Sequence, residues 1–245
     1  MTAAGASFIV NARQISSGLA EMIEAARSAG RGGEGRLRVG IIASLSRGVI
    51  RAVIESFRRE HPNIVLSIGE ADRSELFTLL SHREMDAVIA AGTPRSEYGD
   101  SMLLHHEPIY LAVSEDHPLA KYERISWSDV SDPVFIVSSR EPGPEIHDYI
   151  TRSMTDLGRK ITVNRCRVGR EGIMNLVGLG FGVSLVADHW RGVSYPNVSF
   201  VRVGEENEQL PFSLTWKPEN DNPALRRFLS VARGYAQRSC VVSAS

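Results

Sequence analysis

The spacing of apolar and polar residues changes along the chain, and each change marks an element. Phe8, Ala12, Ile15, Leu19, Met22 and Ala26 follow one another at intervals of 4, 3, 4, 3 and 4. That is the 3.5-residue repeat of a coiled-coil seam. Arg13, Gln14, Ser17, Glu21, Glu24 and Arg27 fall off it, as solvated positions do. Gly18 weakens such a helix by about 1 kcal/mol relative to alanine, so packing has to hold it. The stretch Gly30-Arg31-Gly32-Gly33-Glu34-Gly35 then ends the helix as a flexible linker. A one-sided seam needs a covering surface. A fold-back onto its own body is one solution; self-association through Phe8, Ala12, Ile15, Leu19 and Met22 matches the repeat better.

From Arg36 onward strands and helices alternate. Leu37–Ile42 reads as a strand, followed by Val49, Ile50, Val53, Ile54 and Phe57 at helical spacing with Pro62 as the stop. Ile64–Ile68 is the next strand. Asp72-Arg73-Ser74-Glu75 has the form of a capping box for a helix carrying Leu76, Phe77, Leu79 and Leu80. Met85–Ala91 is a third strand, apolar enough to be covered on both faces. Short connections between these elements predict a parallel sheet with right-handed crossovers. Further on, Leu103–His106 and Ile109–Val113 flank Glu107-Pro108 as two strand runs, and Val134–Val137 is another. Helices fit 144–157 and 170–179, with strands led by Ile161 and by Val183. The last elements are strands at Val198–Val203 and Phe212–Trp216. A closing helix has Asn222 as its N-cap and Pro223 at its first position.

Composition narrows the function classes. The chain has 245 residues, 42% hydrophobic and 23% charged, enough for a core and room for two lobes. Lys+Arg 28 against Asp+Glu 29 gives a net charge of −1, unlike a chain built to coat phosphate backbones. Cys166 and Cys240 lie far apart without partner spacing, so idle thiols in a reducing compartment are expected, with no disulfide framework and no zinc site. No apolar run approaches the roughly 20 residues of a membrane span, and the first residues lack the basic region of a signal peptide. The expected location is cytoplasmic, with no membrane contact.

No catalytic constellation emerges, and no cofactor or metal is expected. Gly178-Leu179-Gly180-Phe181-Gly182 lies where a helix ends and a strand begins, whereas a dinucleotide fingerprint lies between a strand and its following helix. Gly180 therefore reads as a left-handed C-cap. His105 and His106 are neighbours on a strand and point to opposite faces, a poor geometry for one metal. Small hydroxyls and arginines do recur where strands end and helices begin: Ser44-Leu45-Ser46-Arg47-Gly48, Val137-Ser138-Ser139-Arg140 and Gly169-Arg170-Glu171. In open α/β sheets ligands collect at such places, where free N–H groups and the positive helix end face outward. Each residue alone is an ordinary cap or surface charge. Together they suit a small carboxylate or similar anion.

Five stretches in order carry a family resemblance: Gly35–Gly40, Phe57–Ile64, Glu84–Ile89, Glu115–Ala120 and Leu176–Val183. With them the chain resembles, over nearly its whole length, the effector-binding region of the LysR-type transcriptional regulators. The resemblance implies an α/β fold of two Rossmann-like lobes, like a type 2 periplasmic binding protein, preceded by a long N-terminal helix. Residues 1–34 would be the linker helix and glycine-rich linker. Residues 35–115 with 211–238 would form the first lobe, 116–210 the second and 239–245 a tail. The family's linker helix pairs with that of a second subunit, so a homodimer or homotetramer is implied. The winged helix-turn-helix that precedes this helix in the family has no counterpart here, so DNA would be met only through that absent segment.

The resemblance also implies a small-molecule effector in a cleft between lobes. Carried over position by position, the effector-binding residues are Ser44, Ser46 and Arg47 from the first lobe, Ser138, Gly169 and Arg170 from the second, and Gly92 and Thr93 at the hinge side. Arg47-Gly48 stands where the family often begins its first helix with Leu-Pro, and Leu179 and Phe181 are bulkier than is usual there. The alternatives are a transport solute-binding protein of the same fold, which the missing signal peptide and the seam helix count against, and an enzyme on this scaffold, for which no constellation is seen.

Overall fold

The computed structural model describes residues 35–92, 96–130, 133–159 and 161–242 (side chains of 239–242 excepted), together with Thr2, Gly5, Phe8, Ile9, Ala12, Arg13, Ile15, Ser16, Gly18, Leu19 and Ile23 of the leading segment. Those leading residues from Gly5 onward are helical. Met22 and Thr93 lie outside the described residues. The rest forms two compact units, one of residues 1–41, 52–105 and 212–245, the other of residues 42–51 and 106–211.

In the first unit β1 (Gly35–Ile41) pairs in parallel with β2 (Ile64–Glu70) and with β3 (Ala87–Ala91). The connections are α1 (Gly48–Glu60), whose first residues belong to the other unit, and α2 (Arg73–Ser81). The parallel order follows from the strand–helix alternation of the sequence. Against β3 runs β10 (Gln209–Trp216), antiparallel, with Phe212 opposite Ala91. The closing helix α5 (Pro223–Val242) packs on α1 through Phe57 and Phe228, whose rings meet edge-to-face at 5.2 Å. Asn222 caps it as predicted: its side-chain oxygen accepts from the Ala224 N–H at 2.9 Å, and its amide donates to the Arg36 carbonyl. Asp72 is the N-cap of α2, but its side chain makes no capping bond. This end of the helix is exposed, where free N–H groups face solvent.

Asp86, 2% exposed, ties this unit together. Its carboxylate accepts from the Arg38 backbone N–H at 2.8 Å, from Arg38 Nε at 3.3 Å and from Asn220 Nδ2 at 3.1 Å. A buried carboxylate is tolerated only when bonded in this way.

The second unit is built on β4 (Asp100–Ser114) from His106 onward, its earlier residues belonging to the first unit; this part pairs antiparallel with β8 (Ser184–Ala187) and β9 (Val198–Val203). β5 (Arg124–Ile125) joins β9 in parallel. β4 is one strand where the sequence pattern suggests two runs around Glu107-Pro108. Its ladder bonds to β8 and β9 begin at Ile109 and Tyr110, just beyond Pro108, which has no N–H to donate. His105 is buried and stacked on Phe212 while His106 is exposed, as neighbours on a strand require. A two-stranded parallel sheet of β6 (Val134–Ser138) and β7 (Thr162–Cys166) completes the unit with α3 (Gly143–Thr155) and α4 (Arg170–Gly178). The glycine-rich stretch after α4 is a helix stop. Gly180 has φ +78°, its N–H bonds to the Val177 carbonyl, and the Phe181 N–H reaches back to Leu176. Those two bonds define a Schellman ending, which leaves no dinucleotide loop there.

Glu208 braces this unit. It accepts from Trp127 Nε1 at 2.9 Å and from the Tyr149 hydroxyl. Burial first, and then the Glu208 carboxylate, push the Tyr149 phenol above its ordinary value. The fold thus favours neutral Tyr149. That contribution is complete below the ordinary phenol pKa of about 10 and is lost as pH rises towards the folded value. Tyr149→Phe is expected to lower stability at pH 8 by about 1 kcal/mol, the scale of a half-exposed bond to a charged acceptor. Its urea midpoint should also fall less steeply than the wild type's between pH 9.5 and 11.5. Parallel pH profiles would contradict this reading.

Candidate functional site

The polar chemistry of the second unit gathers on the 3₁₀ turn Asp188–Trp190, directly after β8. Three side chains from remote parts of the chain meet successive residues of this turn. Arg47 Nε lies 3.2 Å from Asp188 Oδ2. Ser46 donates its hydroxyl to the His189 carbonyl at 2.5 Å. The guanidinium of Arg170, the first residue of α4, stacks 3.3 Å above the centre of the Trp190 ring. Arg191 adds a fourth contact, with Nη1 3.0 Å from Asp188 Oδ1 and its guanidinium 3.8 Å over the Tyr110 ring.

A buried pair beneath sets the position of this turn. Glu107 and His189 are 4% and 2% exposed. Glu107 Oε2 accepts from the His189 backbone N–H at 3.1 Å and lies 2.6 Å from Nδ1. An ionised carboxylate only accepts, so Nδ1 carries the proton. Gly48 opens α1 beside this pair with φ +86°; a Cβ there would stand 3.5 Å from Glu107 Oε1 and 3.7 Å from His189 Cβ. Glycine takes that left-handed backbone without a steric penalty. The carboxylate stands by the first turn of α1, which carries no acid of its own, a placement the helix dipole favours.

A small pocket lies where β6 ends and α3 and α4 begin. Ser138, Glu141, Gly143, Arg170, Met174 and Ser184 are among its lining residues, around a free volume of about 20 Å³. That is room for a water. Neither helix start is capped by a side chain: Pro142 precedes α3 and Gly169 precedes α4. Nothing stands within 4 Å of a Cβ built on Gly169, which leaves the start of α4 open.

Of the residues expected at the site, the structure brings Ser44, Ser46, Arg47, Ser138, Gly169 and Arg170 into the second unit, Ser44–Arg47 included. Gly92 belongs to the first unit and follows β3 at φ +85°. The hydroxyls are already engaged. Ser44 Oγ accepts from the Ser46 N–H at 3.1 Å. Ser138 Oγ donates to the Val168 carbonyl at 2.7 Å and accepts from the Arg140 N–H at 3.0 Å. They shape loops, and the arginines carry the charge. Sequence reasoning missed Glu107, Asp188, His189 and Trp190. One signal was available: Glu107 interrupts an apolar strand run, and a carboxylate there demands a partner. Among the described residues no cluster of His, Cys, Asp and Glu could hold a metal, and no helix is long and apolar enough to cross a membrane.

A mixed α/β fold in two units is the architecture of domains built like type 2 periplasmic binding proteins. The LysR substrate binding domain matches residues 30–237, and the chain belongs to this family. It is 28% identical over 233 residues to the uncharacterized HTH-type transcriptional regulator YnfL of Escherichia coli K12, covering 93% of this chain and 77% of that protein. The crystal structure of CbnR, a LysR family transcriptional regulator, superposes with a TM-score of 0.80 at 21% identity, covering 96% of this chain and 82% of that one. The BenM effector binding domain with its effector benzoate gives a TM-score of 0.72 at 22% identity, covering 84% of this chain and 94% of that one.

Glu107→Ala would remove the acceptor that the His189 backbone and ring N–H groups share beneath the turn. Taking the acceptor from buried donors costs about 1–3 kcal/mol. Urea unfolding of the variant is expected to show a loss of that size. A loss under about 1 kcal/mol would mean that the pair does not hold the turn.

Proposed function

We propose that the chain is the effector-sensing and oligomerisation module of a LysR-type regulator. Its effector is a small anion, most simply a carboxylate, taken at the surface that carries Ser44, Ser46, Arg47, Ser138, Gly169 and Arg170. Gly92 and Thr93 enter this reading from the sequence resemblance alone. The observation that carries it is the meeting of Ser46, Arg47 and Arg170 on consecutive residues of one turn, beside an uncapped helix start. Guanidinium groups and free helix N–H groups are the donors a carboxylate needs. The benzoate of the BenM domain belongs to the same ligand class. The engaged serine hydroxyls favour a binder over an enzyme. Effector binding would act by differential affinity for two arrangements of the protein, in the cytoplasm, with DNA met through a helix-turn-helix segment of the full regulator.

Self-association is the second half of the reading. Phe8 is 72% exposed, Ile15 73% and Leu19 54% in the single chain. Apolar side chains repeated along one helix at that exposure call for a covering surface. A second copy presenting the same seam, including Ala12 and Met22, supplies it.

Thermal denaturation against a panel of aromatic and aliphatic carboxylates tests the ligand. A true effector at 100 times its Kd stabilises by about 2.7 kcal/mol. Arg47→Ala and Arg170→Ala should each weaken the best hit roughly tenfold, the scale of one charge-assisted bond. If neither substitution moves the affinity, the site is misplaced. The paired change Ile15→Asp and Leu19→Asp is expected to lower the mass measured by light scattering without changing the far-UV spectrum; an unchanged mass rules out the seam as the contact.

A further inference from the structure

We propose that Asp188 determines specificity at this site: it is an internal carboxylate that competes with the anionic effector for Arg47. The proposal rests on the effector reading above and adds what sets the affinity. Asp188 meets a different arginine with each oxygen, Arg47 Nε at 3.2 Å on Oδ2 and Arg191 Nη1 at 3.0 Å on Oδ1. The two partners are not equivalent. Arg191 follows three residues later on the same turn, is 27% exposed at its side chain and lies flat over Tyr110. Arg47 arrives from a remote segment and is 47% exposed. Water and salt weaken an ion pair on a half-exposed arginine far more than one held against a ring. Arg47 is therefore the partner that can be exchanged.

The surroundings allow that exchange without dismantling the site. If a ligand carboxylate takes Arg47, Asp188 keeps Arg191, and no charge is left buried without a counter-charge. The loop before α1 stays in place through bonds that do not involve Asp188. These are the Ser46 hydroxyl on the His189 carbonyl and Arg51 Nη1 on the Leu45 carbonyl at 3.0 Å. The Glu107–His189 pair holds the turn itself. Asp188 thus imposes a threshold on any ligand that uses Arg47. A carboxylate can replace it like for like, whereas a neutral amide of the same shape would leave the guanidinium without its charge partner.

The experiment titrates the full chain with benzoate and with benzamide by calorimetry at 150 mM salt. It compares wild type, Asp188→Asn, Arg47→Ala and the double variant. Asp188→Asn is expected to bind benzoate five- to tenfold more tightly and benzamide within twofold of wild type. In the double variant the gain should vanish, because it runs through Arg47; a double-mutant cycle isolates that coupling from a general rise in positive charge. Asp188→Ser carries the same expectation should the asparagine variant fail to fold. Benzoate affinity that is unchanged or weaker without Asp188, or a gain that survives loss of Arg47, overturns the proposal and leaves the carboxylate reading standing. Benzoate binding to none of the four proteins overturns both.

Discussion

A carboxylate on the buried face of a strand has to be answered by a donor, and much of the second unit is arranged around one such answer. Glu107 shares its side of β4 with His105, Ile109, Leu111 and Val113, all buried. Strand alternation leaves it no route to water. Unpaired, it would cost several kcal/mol, a large part of a domain's net stability. His189 supplies both a backbone and a ring N–H, and fixing His189 fixes the turn on which Asp188 and Trp190 sit. The positions of Arg47, Arg170 and Arg191 follow from that. The first unit uses the same device, with Asp86 holding Arg38 and Asn220. Asp86 lies within one of the five stretches that carry the family resemblance, so that part of the motif has a structural reason.

Two kinds of carboxylate contact meet at the turn, and their magnitudes assign them different work. The Glu107–His189 contact is almost wholly buried, where a donor left without its acceptor costs about 1–3 kcal/mol. The Arg47–Asp188 contact is half exposed, where a pair is worth about 0–1 kcal/mol. The first is therefore a fixed support. The second is weak enough to be exchanged at the affinities of ordinary small ligands, for which 1.4 kcal/mol is a factor of ten. A site that must keep its shape while releasing one of its own charges needs both kinds, separated in depth as they are here.

Most of the fold was legible in the sequence because it is written in local periods and caps. The β1–α1–β2–α2–β3 order, the Asn222-Pro223 helix start and the glycine stop after α4 each rest on residues within a few positions of one another. The misreadings come from contacts made elsewhere in the fold. The two runs around Pro108 join as one strand, β4, which is held by pairing to strands far along the chain. The Asp72 side chain makes no capping bond at its exposed helix end. The site itself was half legible. Arginine and serine at strand ends pointed to Ser46, Arg47 and Arg170, but the turn that gathers them lies 143 positions from Ser46. No local pattern marks such a pairing. Only the odd carboxylate at Glu107 hinted that something polar waited opposite.

The start of α1 shows how far family likeness extends at this site. The chain enters the helix through Arg47-Gly48, and Gly48 adopts φ +86°. Proline, which the family resemblance leads one to expect there, is locked near −65°, so the backbone seen here is closed to it. A leucine at position 47 would also bring no charge to Asp188. In this chain the two changes act together: glycine permits the turn beside the buried pair, and arginine spans from that turn to the acid. The ligand chemistry therefore has to be argued from this chain's own charges. On the proposed reading that chemistry is a group able to take the place of a carboxylate on Arg47, beside the guanidiniums that lie over Trp190 and Tyr110.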